Sequence, residues 1–214
     1  MKILGSRVLG CGVAALLTVG AACTAEEPPI PAQVMLSKLM IWDGERYAPN
    51  GKGWTSPDTK LDTFSVTQKD AHNGKHSLVF HGEGTGYVGG GWNMFGWWPP
   101  EAAIDIHNYK NLSFWMKVDA APGKGPVDTS IALVCASNRK KTTDVKLVDY
   151  VKNLDDGKWH EVVIPIKHLL NKEFDPKTAW ELDLTSYSQD ARRFDIYFDE
   201  IGVDNRSENR NRSL

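Results

Sequence analysis

The chain has 214 residues, 41% of them hydrophobic and 24% charged, with a formal net charge of −2. That balance removes the electrostatic case for a nucleic-acid partner and is ordinary for a soluble domain of roughly one core. Three cysteines, spread through the chain, provide neither a disulfide framework nor a zinc spacing.

Taken in chain order, Lys2 and Arg7 give a positive start to a nearly uncharged run, Val8 to Ala22, too short for a comfortable membrane span. Residues 1–22 read as a signal peptide, and Cys23 follows small residues in the position of a lipidated cysteine. Gly20 stands where the usual lipobox has Leu, so ordinary cleavage after Ala21 or Ala25 and plain secretion stay open. The expected location is the bacterial cell envelope, anchored in the membrane through Cys23. Residues 23–35 carry Glu26-Glu27-Pro28-Pro29-Ile30-Pro31, an extended tether.

Residues 36–204 read as one all-β domain. Leu61 to Val66 alternates apolar with polar, Asn73-Gly74 marks a turn, and strands are expected at His76 to His81 and Tyr87 to Phe95. Further strands fall around Leu112 to Val118, Ile131 to Cys135, Val145 to Tyr150, Trp159 to Ile166 and Phe194 to Phe198, with one brief helix at Ile166 to Leu170. Many short strands between turn signals argue a β-sandwich jelly roll. Cys135, inside Ile131 to Ala136, reads as a buried small hydrophobe. The polar residues 205–214 are expected to be a disordered tail.

The chain has eight Trp. Trp92, Phe95, Trp97 and Trp98 lie in seven residues that begin in a Gly-rich, Tyr87-containing stretch. Successive strand side chains alternate faces, so at least one of Trp92, Trp97 and Trp98 is expected outside the core. There an indole can stack on the C–H face of a sugar. Trp159 and Trp180 are assigned to the core. Trp115 is placed opposite Phe114 and Met116. No Gly-x-Ser-x-Gly elbow, His-Glu-x-x-His helix or phosphate-binding Gly loop occurs, so no enzymatic activity is expected.

Five segments together resemble the jelly-roll carbohydrate-binding modules of the galactose-binding-like superfamily, particularly family eleven and its neighbours. They are Ile41 to Glu45, Asp70 to Leu78, Asn111 to Lys117, Asp156 to Ile166 and Phe194 to Ile201. The resemblance implies a galactose-binding-domain-like fold that binds a glycan or polysaccharide without altering it. Its ligand face would hold Arg139, Lys146, Asp149 and Tyr150 beside Tyr87 and the Trp cluster. It also implies a structural calcium held by Asp43, Glu45, Asp70, the Lys75 carbonyl and Asp199. An adapter lipoprotein that docks an envelope protein through an exposed Trp patch is the alternative.

Overall fold

The computed structural model describes residues 38–45, 51–56, 63–94, 103–120 and 128–207. The chain divides into two units, Met1–Met35 and Leu36–Leu214. The signal, Cys23 and the tether thus lie outside the described residues, as do Phe95, Trp97 and Trp98.

Nine strands are described: β1 (Lys38–Trp42), β2 (Lys52–Ser56), β3 (Thr63–Thr67), β4 (Ser77–Asn93), β5 (Asn111–Ala120), β6 (Asp128–Cys135), β7 (Val145–Lys146), β8 (His160–Pro165) and β9 (Ala179–Asp204). All pairings are antiparallel. β4 and β9 run through both layers of a sandwich and shift register between Gly84 and Gly86. On one side of that shift lies a first layer ordered β3-β4-β9-β5-β8, with β1 on the last residues of β9. On the other lies a second layer ordered β2-β4-β9-β6-β7.

Period-two patterning supplies the core. Leu112, Phe114, Met116 and Val118 of β5 and Phe194, Ile196 and Phe198 of β9 are buried, as are Trp92, Ile131, Leu133, Leu182 and Leu184 of the second layer. Phe64 of β3 touches Phe80, Phe198 and Trp92 at centroid separations of 5.8, 6.0 and 5.9 Å, so one ring ties the two layers together. Cys135 is buried and unpaired.

Four expectations change. The two strands read at 76–81 and 87–95 are one strand of 17 residues. The strand read at 145–150 is only Val145–Lys146, because the chain then turns into a 3-10 helix at Leu147–Asp149 to bury Leu147. Trp159 is half-buried on the outer side of the first layer, its Nε1 donating to Asp70. The tail is tied down at its start: Arg206 donates to Asp204 and Glu161, and its carbonyl accepts from Asn111. The brief helix is found at Ile166–Leu169.

Candidate functional site

The outward side of the second layer follows from strand register. Trp54, Gly91, Asp183 and Ala132 lie across one row, and Ser56, Gly89, Thr185, Ser130 and Lys146 across the next but one. Tyr87, Tyr187 and Asp128 form a further row on the same side. The rows between turn Trp92, Val88, Leu182, Leu184, Ile131 and Leu133 into the core.

This alternation corrects one expectation. Trp92 is 3% exposed and packs on Phe64, so it is a core residue and offers no stacking surface. Trp54 holds the outward position beside it, half-buried on the edge strand β2. At the far end Tyr87 is 69% exposed and lies 4.9 Å from Tyr187, ring to ring. The Trp54 row, at Gly91 of β4, is four residue steps from the Tyr87 row, about 14 Å at the usual rise.

Between the aromatic ends the surface is polar and charge-balanced. Lys146 pairs with Asp128 at 2.9 Å, which holds its ammonium above the usual lysine range. Lys141 lies 3.0 Å from Asp144 and 3.8 Å from Asp183. Glu181 is 6% exposed; burial and the neighbouring Asp183 push its carboxyl up to about 7, against the pull of Trp54 and Arg139. Burial likewise raises Asp183, partly offset by Lys141. Both amide atoms of Asn93, and Oδ1 of Asp183, are buried without a hydrogen-bond partner. Unpaired buried polar atoms are costly, and these lie at the Trp54 end of the face.

The structure brings some of the expected ligand residues together. Tyr87, Lys146 and Asp149 share one end, where both Tyr87 and Asp149 act on the Lys146 charge. Arg139 lies at the other end in left-handed backbone conformation (φ 60°), its guanidinium 4.1 Å over the Trp180 ring and close enough to influence Glu181. Trp180 is buried, as expected. Tyr150 does not join the face: it packs against the core with its hydroxyl 2.9 Å from His168 Nδ1. Trp54, Asn93, Glu181, Asp183 and Tyr187 went unread in the sequence. Their signal was the alternation Glu181-Leu182-Asp183-Leu184-Thr185 and, on β2, Lys52-Gly53-Trp54-Thr55-Ser56.

The calcium donors are placed otherwise than the resemblance implies. Asp199 accepts backbone N–H groups from His72, Asn73 and Glu200 at 2.9, 2.9 and 2.7 Å. Glu45 accepts the N–H, not the carbonyl, of Lys75, and the N–H of His76. Asp70 takes the Lys117 ammonium and the Trp159 indole N–H, and Asp43 accepts the Glu45 N–H. Calcium needs six to eight converging oxygens. Asp199 and Glu45 are engaged with N–H donors of the one turn that follows Asp70, and among the described residues no group of three or more His, Cys, Asp or Glu is set to hold a metal. The donors do not fit the ion. Chelation should therefore leave the melting temperature within about 1 °C of its value in calcium, measured by scanning calorimetry. Asp199→Ala should lower that temperature equally in both buffers, because it orphans three N–H groups.

On the outer side of the first layer, His72 stacks on Trp115 at 3.7 Å and Tyr197 lies under Lys69 and Lys117. That surface also holds a buried hydroxyl without a partner, on Ser113.

Comparison with known proteins agrees with this architecture. A family 30 carbohydrate-binding module of a cellulosomal cellulase of Clostridium thermocellum is 22% identical, with a TM-score of 0.56 over 80% of this chain and 98% of that one. Another family 30 module is 19% identical, with a TM-score of 0.58 over 84% and 94%. A β-1,2-glucanase from Parabacteroides distasonis is 18% identical, with a TM-score of 0.55; 78% of this chain matches only 24% of that enzyme. These likenesses show the fold. No curated protein matches the chain. The model of the family Carbohydrate binding domain 30 matches residues 38–205, which is the sandwich from β1 to just past the end of β9, and the chain belongs to that family.

Proposed function

We propose that the domain binds a neutral polysaccharide along the outward side of its second layer and leaves the chain uncut. The reading further holds that Cys23 tethers the domain to the cell envelope, with the apolar run before it and the Pro-rich stretch after it as support. One observation carries the binding reading. Aromatic rings mark both ends of a single face, buried polar atoms that lack partners lie at and just beyond its Trp54 end, and Lys141 and Lys146 are paired with carboxylates. Flat rings stack on sugar C–H faces. Ser, Thr and Asp side chains on the outward rows supply the mixed donors and acceptors that hydroxyls require. Paired cations leave no excess charge to attract a polyanion.

Affinity electrophoresis in gels containing mixed-linkage β-glucan, hydroxyethylcellulose or xylan tests this. Wild type should be retarded by at least one of them. Trp54→Ala and Tyr87→Ala should each weaken that retention about tenfold, the effect of roughly 1.4 kcal/mol, with the melting temperature close to wild type for Tyr87→Ala, whose ring is 69% exposed, and lowered less than by a core truncation for the half-buried Trp54. Retention unchanged in both variants would remove this face as the ligand surface. No retention on any gel, with capture of an envelope protein instead, would favour the adapter.

A further inference from the structure

We propose that Glu181 is a positioning residue: it locks the Trp54 indole over Gly91, with Asp183 as its partner, in the orientation a ligand ring stacks on. The inference rests on the reading of this face as the ligand surface.

Trp54 comes from a five-residue strand that pairs with β4. A stacking surface that rotates loses affinity to ordering entropy. Gly91, its register partner, brings no side chain. A Cβ there would lie 2.8 Å from the Glu181 carboxyl and would overlap Trp54 Nε1. The indole N–H and the carboxyl therefore both border the volume that the glycine leaves open, and Trp54 pulls the Glu181 carboxyl down.

An acid that is 6% exposed is costly unless it is tied. Trp54 and Asp183 are the side chains beside Glu181 that act on its charge, Trp54 drawing it down and Asp183 pushing it up. A neutral Glu181 can accept from the indole with one oxygen and donate to Asp183 with the other. Among the described residues several charged groups face this pair, starting with Lys52 of β2, whose row continues through Asn93 to Glu181. From the loop after β6 come Arg139, which lies over Trp180 and draws the Glu181 carboxyl down, and Lys141, which lies 3.8 Å from Asp183. Asp144, paired with Lys141, opposes the Asp183 charge. Since the folded-state value of Glu181 is raised, the shared proton is present below about pH 7 and leaves above it. Burial argues against Glu181 touching a ligand itself, so its effect passes through Trp54.

The test uses the full-length chain labelled with 15N-tryptophan. The Trp54 indole signal is assigned by its loss in Trp54→Phe. In wild type that signal should titrate between about pH 5 and 8. Glu181→Gln, which copies the neutral acid, should abolish the titration, keep the indole N–H protected from exchange and hold retention on mixed-linkage β-glucan within about threefold. Glu181→Ala should shift the signal, speed its exchange about tenfold and weaken retention about tenfold. A Trp54 signal that is pH-independent and identical in wild type and Glu181→Ala overturns the proposal. If Glu181→Ala fails to fold, a wild-type titration that Glu181→Gln abolishes supports it and a flat wild-type titration overturns it. If wild type is retained by none of the three polysaccharides, the ligand reading falls while the indole signal still decides the role of Glu181.

Discussion

Trp92→Ala should lower the melting temperature by roughly 6–20 °C. That range corresponds to the 3–5 kcal/mol typical for truncating a buried aromatic in a chain of this size. Trp92 is 3% exposed, lies across from Phe64 and has Gly51 against its ring. Truncation would open a cavity at the point where β2, β3 and β4 meet, and backbone on three strands cannot collapse into it as one side chain can. Trp92→Phe should cost less, because the indole N–H is buried without a partner and its removal relieves that burden. Thermal melts of the two variants beside Trp54→Ala separate core from face: only Trp92→Ala should melt far below wild type. Equal melting of Trp92→Ala and wild type would contradict its place in the core.

The second large effect is expected at Gly53. A Cβ on Gly53 would overlap the carbonyl oxygen of Phe64 and come 3.0 Å from the Phe64 Cβ. The obstacle is backbone, so no rotamer change relieves it, and Gly53→Ala must push β2 away from β3. Overpacking of this kind costs about 1–3 kcal/mol. Here the displaced strand also carries Trp54, the next residue. Gly53→Ala should therefore lose stability and weaken polysaccharide retention about tenfold together. Thr55→Ala, on the other side of Trp54, should change neither by a comparable amount. Calorimetry and affinity gels on the same preparations check both halves. A Gly53→Ala variant that melts and binds like wild type would show that β2 does not lie on β3 as described.

Much of the fold is legible in local patterning. Phe114, Met116 and Val118 against Trp115 and Lys117 announce a strand with one buried face, because side chains alternate every residue whatever the surroundings. The brief helix after Pro165 and the turn at Asp156-Gly157 are equally local. Five short segments placed the chain among the carbohydrate-binding jelly rolls, with family eleven foremost, and the family that matches is number 30. A segment resemblance reports the shared sandwich more readily than the branch within it.

The candidate face was legible only in fragments. Tyr87, Lys146 and Asp149 were picked from the sequence and do gather at one end. Trp92 was misassigned because a Trp in a Gly-rich run reads alike on either side of a strand. Its side is decided by Gly53 and Leu182, the residues it pairs with on β2 and β9. The stretch Ala179 to Tyr187 was not read as a strand, yet it supplies Glu181, Asp183 and Tyr187 and lies between β4 and β6. The calcium donors show the same limit. Acids at matching positions in a sequence carry no information on whether their oxygens converge, and here backbone N–H groups reached them. By itself, then, the sequence determined the all-β class, the alternating core and the family likeness, because these depend on side-chain period and on short segments. Which side chains share a face was decided by the tertiary structure alone, because that depends on the register of strands nearly a hundred residues apart.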